Sequence, residues 1–112
     1  FNNTYSHAIK KEALLSQHGE TKTPDMEYRK IKEASDEEKA LAIRILNLAQ
    51  NSLGLSEPLL YARLDFIEDK NGQPLLLELE ITEPSLSLPL TPKSTDMFVQ
   101  SIINRTPSLE YD

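Results

Sequence analysis

Leu60-Tyr61-Ala62-Arg63-Leu64-Asp65-Phe66-Ile67, a break at Asp69-Lys70-Asn71-Gly72, and Leu75-Leu76-Leu77-Glu78-Leu79-Glu80-Ile81 read together as a β-hairpin. Strand side chains alternate between faces. Leu60, Ala62, Leu64 and Phe66 then share one face of the first strand, and Tyr61, Arg63 and Asp65 share the other. On the second strand Leu75, Leu77, Leu79 and Ile81 fall on the apolar face, and Glu78 and Glu80 on the polar one. A two-residue turn at Asn71-Gly72 predicts that Lys70 pairs with Gln73. The same register sets Asp65 opposite Glu78 and Arg63 opposite Glu80. Facing carboxylates repel across a ladder. A divalent cation between Asp65, Glu78 and Glu80 converts that cost into a site, and Mg²⁺ favours such oxygen ligands completed by substrate phosphates. The alternative is a solvated polar hairpin face, which is ordinary in half-exposed antiparallel sheets.

The 112 residues suit one small domain or part of a larger one. An apolar content of 38 % supports a modest core. Cysteine is absent, which excludes a disulfide framework and thiolate metal sites and fits a reducing, cytoplasmic setting. No apolar run approaches the roughly 18 residues of a membrane span, and no signal peptide is recognisable. The net charge of −6 argues against nucleic acid or an anionic membrane as a partner. The first residue is Phe1, not Met, so the chain is expected to be a piece of a longer protein.

Asn2-Asn3 signals a tight turn, and a strand is expected from Thr4 to Ile9, closed by Lys10-Lys11. Gln17-His18-Gly19-Glu20-Thr21-Lys22-Thr23-Pro24 is loop chemistry, and a short strand is expected from Tyr28 to Ile31. The main helix has the clearest signals. Ser35 and Glu38 form a capping box with Asp36 and Glu37 in the first turn. Ala42, Ile45, Leu46, Ala49 and Leu53 trace an apolar stripe at helical spacing, and Gly54 is placed to stop it. After the hairpin, Pro84, Pro89 and Pro92 frame a loop over residues 85–93. Ser94-Thr95-Asp96 predicts the start of a second helix carrying Met97, Phe98, Ser101, Ile102 and Arg105, with Pro107 ending it. The expected class is α+β, an antiparallel sheet with packed helices, or an antiparallel part of a larger α/β sheet.

Several segments resemble the ATP-grasp ligase family. Glu78-Leu79-Glu80-Ile81-Thr82-Glu83-Pro84 resembles its Glu-x-Asn-x-x-x-Pro signature, and Asp65 stands where the family has its other metal-binding acid. Gly19-Glu20-Thr21-Lys22 resembles the Gly-Glu-Thr-Arg segment of bacterial glutathione synthetases. Ala8-Ile9-Lys10-Lys11 resembles the strand bearing a phosphate-binding basic residue. The resemblance runs from about residue 5 to residue 105.

This resemblance implies the C-terminal subdomain of an ATP-grasp fold, with residues 1–112 a single partial domain whose N-terminal part lies outside this chain. It implies ATP as co-substrate, Mg²⁺ (or Mn²⁺) as cofactor, and a small carboxylate that takes the γ-phosphoryl group to form an acylphosphate. An amine or similar nucleophile then displaces phosphate. By the same resemblance Asp65 and Glu78 are metal ligands, and Glu80 replaces the usual Asn. Lys11 binds nucleotide phosphate, and Lys22 and Arg63 act on the transferred group. Residues 85–90 contribute to the substrate pocket.

Departures from the family pattern are specific. Lys11 and Lys22 stand where Arg is frequent, and a lysine is a point charge where arginine is a bidentate fork. Glu80 adds a negative charge that Arg63 balances. Thr23-Pro24-Asp25 replaces an Asn-plus-glycine loop. The glycine-rich lid and the adenine-binding strands belong N-terminal to Phe1.

Other readings of the same residues stand beside these. Arg63 is either a structural partner of Glu80 or a phosphate clamp. Lys10 and Lys11 point to opposite strand faces, so one of them is an edge charge that discourages aggregation. His7 and His18 lack zinc-site spacing and read as a packed or surface imidazole and a loop residue. No Gly-x-Ser-x-Gly elbow and no Walker or dinucleotide loop is present. A non-catalytic binding domain that keeps the ligase architecture is the second expectation for function.

Overall fold

The computed structural model describes residues 1–11 and 29–107. Lys22, the Gly19-to-Lys22 segment and residues 108–112 lie outside the described residues. The elements in chain order are β1 (Ala8–Lys11), β2 (Arg29–Lys32), α1 (Asp36–Ser52), β3 (Arg63–Glu68), β4 (Pro74–Glu80), a 3₁₀ turn (Leu88–Leu90) and α2 (Pro92–Ile103). The class is α+β, as expected. Among the described residues the strands form two two-stranded antiparallel sheets, β1 with β2 and β3 with β4.

Helix α1 forms where its capping signals place it. The Ser35 hydroxyl accepts from the Glu38 N–H (3.1 Å), and a Glu38 carboxylate oxygen accepts from the Ser35 N–H (2.8 Å). Lys32 Nζ donates to the other Glu38 oxygen (3.0 Å), tying β2 to the cap. At the far end Leu55 N–H donates to Gln50 C=O and Gly54 N–H to Asn51 C=O, with Gly54 at φ +65°. That is the Schellman ending, which requires a residue able to take the left-handed conformation. Ala42, Ile45, Leu46 and Ala49 are half-buried. Leu53, expected on the same stripe, is the C-cap and is exposed; the backbone turns left-handed at the next residue, Gly54.

The hairpin corrects the sequence reading in its turn and in one strand. Asp69 and Gln73 close the loop, with Asp69 N–H donating to Gln73 C=O (2.9 Å). The Asp69 carboxylate accepts from the N–H groups of Asn71 (2.7 Å) and Gln73 (2.9 Å). Gly72 alone in this loop has positive φ (+76°), whereas a two-residue type I′ turn needs it at both central residues. The loop therefore holds three residues, and the pairing beside it is Glu68 with Pro74, Ile67 with Leu75 and Phe66 with Leu76. A bulge then leaves Leu77 without a cross-strand partner, and the expected pairs resume: Asp65 with Glu78, Leu64 with Leu79 and Arg63 with Glu80. The extra residue reverses the alternation of β4. Leu76 and Leu79 share the face of Leu64 and Phe66, while Leu75 falls with Ile67 on the face of Asp65. Leu75 thus leaves the apolar row expected for it, and Leu77 sits at the bulge.

Helix α2 starts earlier than Ser94-Thr95-Asp96 suggests. Pro92 occupies its first turn, where a missing N–H costs nothing and the fixed φ is already helical. Ser94 is buried inside the helix, as is Ser101, whose hydroxyl donates back to Met97 C=O (2.9 Å). The Phe98 ring meets Phe1 at 5.0 Å and Tyr61 edge-on at 5.9 Å between ring centres. Arg105 donates to Pro58 C=O and Tyr61 to Thr82 C=O. These contacts hold α2 and the N-terminal segment against the approach to β3. Among the described residues no apolar side chain is fully buried.

Candidate functional site

The polar face of β3 and β4 carries the residues expected to do chemistry. Register sets Asp65 directly opposite Glu78 and Arg63 opposite Glu80, so all four share one side of the hairpin. Arg63 and Asp65, two apart on one strand, form a forked pair. Arg63 Nε donates to Asp65 Oδ1 (2.9 Å) and Nη2 to Oδ2 (3.2 Å). The same Nη2 reaches Glu78 Oε2 at 3.4 Å. The guanidinium therefore lies between two carboxylates that would otherwise repel each other. Burial alone would lower the pKa of Arg63, but the Asp65 hydrogen bonds and the charges of Asp65, Glu78 and Glu80 outweigh it and hold the pKa above its ordinary value.

Glu80 is turned aside. One of its oxygens accepts from the Thr82 hydroxyl (2.8 Å) and the Thr82 N–H (3.2 Å). These bonds from Thr82, with the charge of Arg63 behind them, lower its pKa below the usual carboxylate value. As arranged, no three acidic or imidazole side chains among the described residues converge on one point that could hold a metal ion. The donor chemistry still suits a hard divalent cation: carboxylate oxygens on adjacent strands, with no sulfur or imidazole among them. Asp65 and Glu78 are the pair that faces; Arg63 engages both oxygens of Asp65 and one of Glu78.

A cavity of about 820 Å³ brings the two sheets to one place. Lys10, Lys11 and Lys32 line it from the first sheet, and Arg63, Asp65 and Glu68 from the hairpin. Lys11, selected by resemblance as a phosphate contact, and Asp65 are both among its lining residues, as are Leu64 and Phe66 from the other face of β3. Lys10 lines it as well, although neighbouring strand residues point to opposite faces. Glu78 and Glu80 are not among the lining residues.

The wall formed by residues 85–87 is anchored by side chains that sequence patterns do not single out. His7 Nε2 lies 2.6 Å from Leu86 C=O, and its Nδ1 lies 2.8 Å from the Ser6 hydroxyl. A carbonyl only accepts, so Nε2 carries the proton. Arg29 Nη1 donates to the Ser87 hydroxyl (3.2 Å), and Ser87 holds a left-handed backbone at φ +51°. His7 and Leu86 are separated by 79 positions, and the acceptor is a backbone carbonyl. No local pattern in the sequence signals such a pair.

The cycloserine biosynthesis protein DcsG of Streptomyces lavendulae is 34 % identical to this chain over 105 residues, 94 % of the chain. The crystal structure of D-cycloserine synthetase DcsG matches it with a TM-score of 0.82 at the same identity and coverage. The chain is homologous to DcsG. It spans 35 % of the length of DcsG. No protein-family model matches the chain. DcsG is a synthetase, which agrees in general kind with the ligase resemblance read from Glu78 to Pro84. The α+β arrangement of hairpin, helices and first sheet has its counterpart in the corresponding third of that structure.

Proposed function

We propose that this chain is the C-terminal catalytic part of an ATP-grasp ligase that activates a small carboxylate with ATP. The observation that carries the reading is Asp65 set opposite Glu78 on the face of a hairpin whose sequence runs on to Thr82-Glu83-Pro84. Homology to a synthetase supports it. In this reading Asp65 and Glu78 hold Mg²⁺ or Mn²⁺, with Glu80 as the further acid once it leaves Thr82. The bound ion would neutralise charge on the ATP phosphates. Lys11, which lines the same cavity as Asp65, contacts a phosphate, and Lys22 and Arg63 stabilise charge on the transferred phosphoryl group. Alignment of the carboxylate with the γ-phosphate is the main contribution of the protein to such a transfer. The product is an acylphosphate that an amine or similar nucleophile opens. The remainder of the ATP-grasp fold supplies the adenine pocket and lid, and the reaction is cytoplasmic.

The test is Mg²⁺-dependent release of ADP by the full-length protein, with cycloserine formation assayed alongside because DcsG is a D-cycloserine synthetase. ADP release that needs both the ion and a carboxylate is the expected result. A second reading has its own observation: Arg63 is already ion-paired with Asp65 and, more loosely, with Glu78. Under it the chain is a non-catalytic binding domain. Calorimetry that finds no nucleotide-dependent metal binding would select this second reading over the first.

A further inference from the structure

We propose that Arg63 is an internal counter-ion that occupies the Asp65–Glu78 pair until nucleotide arrives, so that divalent metal binds strongly only together with ATP. This rests on the metal-holding role given above to Asp65 and Glu78, and concerns how that site is kept closed to free ions. The Arg63–Asp65 contact uses both carboxylate oxygens, at 2.9 and 3.2 Å, so neither is left free on the side facing the guanidinium. The bond to Glu78 is longer, 3.4 Å, and the Glu78 side chain is half exposed. Glu78 is therefore the looser of the two contacts and the first to yield. Both members of the forked pair are about three-quarters covered, so bulk salt screens the pair only in part.

A cation approaching Asp65 must displace a positive charge that is hydrogen-bonded through two N–H groups. A nucleotide phosphate offers that guanidinium an alternative anion with the same forked geometry. Metal alone breaks the pair without compensation; metal with a polyphosphate transfers Arg63 from one anion to another. Lysine at this position would keep the charge and lose the fork.

The experiment is Mn²⁺ binding to the full-length protein, read by electron paramagnetic resonance with and without a non-hydrolysable ATP analogue. Arg63→Gln is expected to bind Mn²⁺ in the absence of nucleotide at least about tenfold more tightly than the unsubstituted protein, equivalent to roughly 1.4 kcal/mol. Arg63→Lys is expected to fall between the two, and it serves as the second variant if the neutral one folds poorly. The gain should shrink when the analogue is present. Equal Mn²⁺ affinity in all three proteins without nucleotide, with nucleotide-dependent binding intact, overturns the gating role and leaves the metal site standing. Absence of Mn²⁺ binding in every protein, with or without the analogue, overturns the metal site and the gate together.

Discussion

His7 shows how a single imidazole fixes a loop that sequence inspection alone does not connect to it. Its Nε2–H bond to Leu86 C=O and the Ser6 bond to Nδ1 hold the ring in one orientation. Removing it leaves the loop to the Arg29–Ser87 contact and to a strained Ser87 backbone. In His7→Ala, amide hydrogen exchange over residues 85–88 should accelerate about fivefold, the effect of about 1 kcal/mol for one hydrogen bond. His7→Gln, which retains an N–H donor, should recover part of the protection. Unchanged exchange in His7→Ala would show that the loop is held without it. The residues that local alternation could place, Asp65, Glu78 and Arg63, emerged on the expected face in the expected pairs. The orientation of Glu80 toward Thr82 did not emerge, because it depends on a turn that alternation does not describe. His7, Ser87 and Arg29 were illegible for a different reason: their partners are distant in the chain.

At the scale of elements, α1 was the most legible part of the fold because every signal for it is local. Ser35→Ala should cost about 1 kcal/mol of stability through loss of one capping bond, measured as a lower midpoint in thermal unfolding. The cap is also pH-dependent. Burial alone would raise the Glu38 pKa, but its bond to the Ser35 N–H and its contact with Lys32 outweigh this and hold it below its ordinary 4.5. A carboxylate with a depressed folded value stabilises fully above the unfolded value and loses that contribution as pH falls through the folded one. Acid titration of helical circular dichroism should therefore show a loss below pH 4.5 that Glu38→Gln flattens. The β3–β4 turn was less legible. Asn71-Gly72 suggested a two-residue loop, and the Asp69 side chain instead captured two N–H groups and lengthened it to three. A methyl group added at Gly72 would meet open space, but the backbone there has a φ of +76°. Gly72→Ala should thus cost about 1–2 kcal/mol from backbone conformation alone, and a smaller loss would mean that the turn relaxes.

Across the whole molecule, the apolar surface decides how the chain behaves. Ile67, Leu75, Leu76 and Leu77 on the hairpin, and Leu48 on α1, are all substantially exposed, and no apolar side chain among the described residues is fully buried. Burial contributes about 25 cal/mol per Å² of apolar area, so half-covered residues contribute correspondingly little. The isolated 112-residue chain should bind a hydrophobic dye and unfold with a broad transition, whereas the longer protein proposed above should do neither. Dye binding of equal strength by both would mean that no further segment covers these residues. The sequence patterns could assign each leucine to a strand but not its coverage, which depends on what lies beyond the hairpin. The central claim is that the acids of the hairpin serve phosphoryl transfer, and its most direct measurement is Mg²⁺-dependent ADP release by Asp65→Asn and Glu78→Gln in the full-length protein. Loss of a metal ligand should reduce release by about 100-fold or more in each, while full turnover in both variants would contradict the account.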